Sequence, residues 1–179
     1  ALDADVPRDA EWEERAFMVN LLCETFAAAS NIIFVRTRQQ LQFLANAFHA
    51  DAPGSAFTLE LGRFKSSGGP RVLIATDACG RGIDVQGVAV VINFELPTQF
   101  DMGTRHAAVE KYIQRAGRSG RFGRAGVCIT VVSKNEERDL QWLSRSIGLS
   151  IPALTDAMCE SLPGYGQPTP IVEATAAVA

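Results

Sequence analysis

The chain has 179 residues, 47% of them hydrophobic and 21% charged, with a net charge of -3. That composition is the ordinary one for a globular domain with a single good-sized core, and a negative net charge excludes nucleic-acid binding by bulk charge alone. The sequence contains nothing that reads as a signal peptide and no apolar run of membrane-spanning length.

Charge is nevertheless uneven. Positive residues concentrate around 111–124 and acidic ones at 2–14, so a local anion-binding surface stays open. Cys23, Cys79, Cys128 and Cys159 form no Cys-x-x-Cys pair, which points to a reducing compartment and away from a disulfide framework or zinc site. With His49 and His106 alone, a His-based metal site has no basis, and no metal-binding residue is expected.

Residues 1–14 read as an acidic approach segment. From Glu11 to Ala29, the residues Ala16, Phe17, Val19, Leu21, Leu22 and Phe26 make a broad helical stripe. Ile32 to Val35 is a short continuous apolar run, the signature of a strand buried on both faces. Thr37 to Phe48 returns to helical period. Ala56 to Phe64 predicts a short helix that ends in the turn Lys65-Ser66-Ser67-Gly68-Gly69-Pro70. Val72 to Ala75 and Val88 to Phe94 predict two more buried strands, and Pro97 to Arg105 an irregular polar connection. Ala107 to Arg118 reads as a helix and Val127 to Val132 as a fourth strand. Ser133 with Glu136 makes a capping box for a helix running to Ile147, with Gly148 as its stop. The domain is expected to end near residue 163, and 164–179 to be a flexible Ala-rich tail.

Apolar strands alternating with helices predict an α/β fold with a parallel sheet covered by helices on both faces. Ligands of such sheets bind at the carboxyl ends of the strands. Arg36-Thr37-Arg38 and Thr76-Asp77 fall there. Two stretches carry the chemistry. In Tyr112 to Gly126, Arg115, Arg118, Arg121 and Arg124 recur every third residue with Gly117, Gly120 and Gly123 between them, and no acid interrupts the run. The i, i+3 spacing puts Arg115 and Arg118 on one helical face. Planar guanidinium forks suit phosphate oxygens, and the glycines let backbone come close to a ligand. In Ala75 to Asp84, a hydroxyl, a carboxylate, a glycine-flanked arginine and a second carboxylate follow a buried strand directly. Asp84 could accept bonds from a ribose diol.

These residues carry a resemblance. Ala75 to Asp84, Val85 to Pro97 and Tyr112 to Gly126 together resemble motifs V and VI of the DEAD-box ATP-dependent RNA helicases. Asn31 to Arg38 resembles motif IV, and His49-Ala50-Asp51 through Phe64-Lys65 the segment that follows it. The resemblance covers about residues 15–160 and concerns the second, C-terminal RecA-like domain only. The chain contains no Gly-x-x-x-x-Gly-Lys-Ser/Thr loop and no Asp-Glu-Ala-Asp sequence. The long connection Thr98 to Glu110 and the phrase Gly82 to Phe94 resemble the mRNA-export helicases of the nuclear pore.

The resemblance implies half of an RNA-stimulated ATPase, a hydrolase inactive alone, that unwinds RNA or remodels RNA–protein complexes. ATP would be held with Mg2+ mainly by an N-terminal RecA-like domain of the same protein. Arg118 and Arg121 would be catalytic arginine fingers. Asp84, Gly82, Arg81, Gln114 and Arg115 would be ATP-binding, and Thr37, Arg38 and Thr76 RNA-binding. It further implies a monomer without a membrane anchor, cytoplasmic or nuclear, with a nuclear-pore release factor and an inositol phosphate as partners of the export subgroup.

Several positions depart from the family. Gln114 replaces a His, Ala116 an Ile and Ala50 a Gly, while Gly54 and Phe57 stand where the family tends to have Gln and an RNA-contacting Arg. These changes leave open a non-catalytic helicase-like interaction module. A dinucleotide-binding oxidoreductase fits poorly, because Gly117-x-x-Gly120-x-x-Gly123 follows a helix and not a strand. Phe48 also runs straight into His49, where the family has the end of a helix and a whole strand. Either the segment is deleted or residues are missing from the sequence at that point, and the second is expected, because losing an interior strand would leave unpaired sheet edges.

Overall fold

The computed structural model describes residues 8–27, 29–51, 64, 71–80, 88–101, 104–120, 126–162 and 174–177. A five-stranded parallel sheet runs through it. The strands are β1 (Ser30–Val35), β2 (Val72–Thr76), β3 (Val88–Asn93), β6 (Val127–Thr130) and β7 (Ala174–Ala177), in the order β6-β3-β1-β2-β7. All residues of β1 after Ser30 are buried, which is why its run is apolar without alternation. Ile33 and Val35 face one layer with Ile74, Ile92 and Ile129. Ile32 and Phe34 face the other with Leu73 and Val91.

Two helices cover the first face: α1 (Arg8–Thr25) through Ala16, Val19, Leu22 and Phe26, and α2 (Arg38–Asp51) through Leu41, Leu44 and Phe48. The Trp12 and Phe43 rings, 5.5 Å apart, join the two helices. Phe64 packs on the second face. A smaller cluster of Leu96, Ala107, Tyr112 and Leu143 sits beyond the sheet. It joins α4 (Val109–Ala116) to α5 (Glu137–Ile147), which starts from the Ser133–Glu136 capping box and stops at Gly148, in the left-handed region at φ 68°. The remaining helices are short, α3 (Asp77–Gly80) and α6 (Asp156–Glu160).

Two expectations are corrected. The connection after Pro97 is not irregular: β4 (Thr98–Asp101) and β5 (Thr104–Ala107) pair antiparallel, Thr98 opposite Ala107. Its inner end is buried at Thr98 and Ala107, so the polar strands still have a core face. The tail is not wholly loose. Ala174–Ala177 adds to the outer edge of β2 in parallel, Val72 opposite Ala174, and satisfies ladder groups that an edge leaves open. α2 runs without interruption through Phe48 to Asp51, and among the described residues β7 is the strand at the outer edge of β2. The helix expected over 56–64 and the turn at 65–70 lie outside the described residues, Phe64 apart.

Arg15 locks α1 to the sheet. It is 2% exposed, and its Nη1 donates to the carbonyls of Phe94 (3.0 Å) and Val131 (2.8 Å). Its Nη2 donates to Glu136 Oε2 (2.6 Å) and Glu11 Oε1 (2.7 Å). Glu136 Oε2 also accepts from the Ser133 backbone N–H at 3.0 Å, so one carboxylate serves both the capping box and the arginine.

Candidate functional site

Strand register brings the predicted polar residues to one rim. Val35 pairs with Thr76, Phe34 with Asn93 and Asn93 with Thr130. Arg36-Thr37, Thr76-Asp77 and Asn93-Phe94 therefore leave the sheet side by side at its carboxyl edge, where ligands of such sheets bind.

Thr37 is exposed and opens α2. Its Oγ1 accepts from the Gln40 N–H at 3.1 Å, and Gln40 Oε1 accepts from the Thr37 N–H at 3.2 Å, a reciprocal cap that fixes the turn. Arg38 beside it is exposed as well. Thr76 is half-buried at the end of β2, and Asp77 begins α3.

Asp77 ties this rim to the arginine-rich segment. Its Oδ1 and Oδ2 accept from Arg115 Nε (2.6 Å) and Nη2 (2.9 Å), a bidentate pair. Arg115 Nη1 donates to Asn93 Oδ1 at 3.0 Å, and the guanidinium lies 5.3 Å from the Phe34 ring centroid. Asn93 in turn donates to Thr130 Oγ1 at 3.0 Å. Arg115 is 2% exposed, and its guanidinium is committed to Asp77, Asn93 and the Phe34 ring. Gln114 points the other way, to solvent, and donates to Glu110 Oε1 at 3.1 Å.

Beneath this cluster, burial pushes the Tyr112 phenol up to about 12 and the Cys128 thiol up to about 11. Neither supplies a nucleophile near neutral pH. The rim offers hydroxyls, backbone groups and guanidinium ions, a set suited to binding and charge stabilisation.

α4 ends at Ala116, two residues short of expectation, so Arg118 sits on the following turn and not on the face shared with Arg115. Arg118 is half-buried there. The turn is held by backbone: the Arg118 N–H donates to the Arg115 carbonyl at 3.0 Å and the Gly120 N–H to the Val88 carbonyl at 3.3 Å. Gly120 has φ 68°, and a Cβ on Gly126 would stand 2.2 Å from the Gly120 nitrogen. These two glycines are required by close approach. Arg81, Gly82, Asp84 and Arg121 lie outside the described residues. Among the described residues no three His, Cys, Asp or Glu side chains converge as a metal site, and no helix is long and apolar enough to cross a membrane.

Sequence reading missed Arg15 and Glu95 and the Asp77–Arg115 pair. The spacing of Tyr112 and Arg115, both buried on α4, was the available signal for the pair.

The family model that matches is the helicase conserved C-terminal domain, over residues 14–123. Arabidopsis thaliana eukaryotic initiation factor 4A-1 is 40% identical over 141 residues, which is 72% of this chain and 32% of that protein. The chain thus spans about a third of the length of such relatives. The solved C-terminal domain of the DEAD-box protein Dbp5 superimposes with a TM-score of 0.64 at 30% identity, covering 76% of this chain and 79% of that one. Dbp5 of S. cerevisiae bound to RNA and ADP BeF3 gives 0.67 at 28%, covering 78% and 38%. The chain belongs to the DEAD-box helicase family, as a RecA-like helicase C-terminal domain.

Proposed function

We propose that this chain is the second RecA-like half of an ATP-dependent RNA helicase, and that it completes an ATP site held by a first RecA-like domain. The observation that carries the reading is the Asp77–Arg115 clamp. It links the Thr76 rim to the segment bearing Arg118 through one rigid, buried bidentate pair. The likeness to a protein solved with RNA and ADP BeF3 supports it.

Thr37, Arg38 and Thr76 hold the RNA backbone, through hydroxyls and a guanidinium that read no sequence. Arg118 and Arg121 act as fingers on the γ-phosphate, and Asp84 with Arg81 and Gly82 couples the ribose to RNA. Gln114 stands at the nucleotide side. Arg115 positions the segment without touching ATP. Phosphoryl transfer depends on positioning and charge stabilisation, and an arginine supplied from another element is worth ~10³–10⁵ in rate. Mg2+ accompanying ATP would be held mainly by the first domain and would supply neutralisation of phosphate charge there.

We extend the proposal to mRNA export at the nuclear pore, with a release factor and an inositol phosphate as partners. The support is narrower: the likeness to Dbp5 and a connection folded as the β4–β5 hairpin.

RNA-stimulated ATPase of the chain alone, and of the same chain joined to its first domain, tests the main proposal. A silent chain and an RNA-dependent joined protein are expected. Silence from both would move the assignment to an interaction module. In the joined protein, Arg121→Ala keeps RNA binding and loses at least ~10³-fold in turnover; unchanged turnover sinks the finger role.

A further inference from the structure

The Thr37 turn is a capping box with more bonds than the box needs. Thr37 Oγ1 accepts from the Gln40 N–H at 3.1 Å, and Gln40 Oε1 accepts from the N–H groups of Thr37 (3.2 Å) and Arg36 (3.0 Å). A glutamate three residues after the threonine would close such a box equally well. Here that residue is a glutamine, 1% exposed, and its side chain also hydrogen-bonds Glu95, which is 6% exposed. Since Oε1 already serves two backbone donors, Nε2 is the atom that donates to the carboxylate. Arg36 ties the same carboxylate to the hairpin. Its Nε lies 3.0 Å from Glu95 Oε1, and its Nη1 donates to Thr98 Oγ1 at 3.1 Å, at the base of β4.

We propose that Glu95 and Gln40 are positioning residues for RNA: the carboxylate orients the Gln40 amide, and the amide fixes the turn that presents the Thr37 hydroxyl to a phosphate oxygen. Glu95 is a firm base for this, because it leaves β3 directly after Phe94, whose N–H donates to the Phe34 carbonyl at 2.9 Å. The N–H groups of Arg36 and Thr37 are both taken up by Gln40, so the turn offers a phosphate the hydroxyl and not main-chain donors. That hydroxyl accepts from the Gln40 N–H and keeps its own proton to donate. The choice of glutamine over glutamate follows. Only an amide can accept from the turn with one atom and donate to a carboxylate with the other.

The inference deepens the RNA-backbone role proposed for Thr37 and rests on it. Exchanging the two side chains tests it. Gln40→Glu keeps an acceptor for the two backbone N–H groups but sets a carboxylate against Glu95. Combining Gln40→Glu with Glu95→Gln rebuilds the amide–carboxylate hydrogen bond in the opposite sense and keeps one carboxylate in the cluster for Arg36. RNA-stimulated ATPase of the joined two-domain protein is measured against RNA concentration, with circular dichroism for the fold and Thr37→Ala as the control for the RNA role. Gln40→Glu is expected to raise KM for RNA roughly tenfold, the scale of one charge-assisted hydrogen bond, with kcat at saturating RNA within about twofold. The double exchange should recover most of that loss.

An unchanged KM in Gln40→Glu, while Thr37→Ala raises it, overturns the positioning role and leaves the RNA role of Thr37 standing. A KM rise that the double exchange does not reverse in a folded protein also overturns it, because the link between the two side chains is then not what RNA binding needs. If neither Thr37→Ala nor Gln40→Glu moves KM, the RNA role of Thr37 falls and the positioning role falls with it.

Discussion

Two arginines are buried to the same 2% on opposite faces of the sheet, and they do different work. Arg15 reaches up from α1 to Glu136 of the capping box, to two backbone carbonyls and to Glu11 on its own helix, all groups of the scaffold and none on the Thr76 rim. Arg115 reaches from α4 to Asp77, whose side chain is 31% exposed and follows Thr76 directly. Chemistry and burial are alike. What differs is where the partner stands. A partner inside the scaffold makes the arginine a structural tie. A partner on the rim makes it a link between that rim and the arginine-rich turn.

The comparison can be broken experimentally, beginning with the Arg15 side. Glu136→Gln leaves a buried guanidinium short of its charge partner and also disturbs the Ser133 cap. It should cost about 3–5 kcal/mol of stability, read as a lower urea midpoint at constant slope. A loss below about 1 kcal/mol would show that Glu11 alone suffices. Next, Gly126→Ala forces a Cβ to within 2.2 Å of backbone at Gly120. It should disturb the arginine turn and lower ATPase in the joined two-domain protein more than it lowers stability. Loss of stability without loss of rate would reverse the expectation.

Asp77→Asn sharpens the contrast. It removes a charge-assisted pair worth roughly 1.5–3 kcal/mol but leaves Arg115 a neutral partner. Stability should fall less than with Glu136→Gln, while RNA stimulation of ATPase in the joined protein falls more. Equal effects on both readouts would make Arg115 a second Arg15.

The smallest effect concerns Glu95. Burial raises its carboxyl above the ordinary range, with Arg36 opposing. Between the ordinary carboxylate range and that raised value, the native state holds a proton that the unfolded chain has lost. Stability contributed by this group falls as pH rises from the ordinary carboxylate range through the raised value. Glu95→Gln should flatten that part of the stability–pH curve by less than the other substitutions change stability. A steeper curve in the variant would contradict the sign.

Much of the fold was legible because β1, β2 and β3 carry apolar runs buried on both faces, Ile32–Val35, Val72–Ala75 and Val90–Ile92, and β6 carries a similar run at a partly buried edge. The Ser133–Glu136 box and the Gly148 stop were legible because capping is local chemistry. The β4–β5 hairpin was hidden because its strands are short and mostly polar, and the buried residues Thr98 and Ala107 stand at its base. β7 was hidden for another reason. Alanine and threonine carry almost no apolar signal, and its placement comes from the backbone ladder of β2. At the site, sequence spacing located Thr37, Thr76 and the arginine run. It could not divide the arginines between interior and surface, because α4 ends before Arg118 and changes the face that Arg118 presents. Arg15 gave one clue, its position four residues after Glu11, but the partners that matter come from residues far along the chain.

The pairing of β2 with β7 has a kinetic side. β2 is complete by Thr76, yet the strand that closes its edge begins at Ala174, about a hundred residues later. While the chain is being made, an apolar strand of Val72, Leu73, Ile74 and Ala75 waits with one row of backbone groups unpaired. Such an open edge is a template for another chain. For this protein the interval between translating β2 and translating β7 is the period of greatest exposure to misassembly, and slowing synthesis between them would lengthen it.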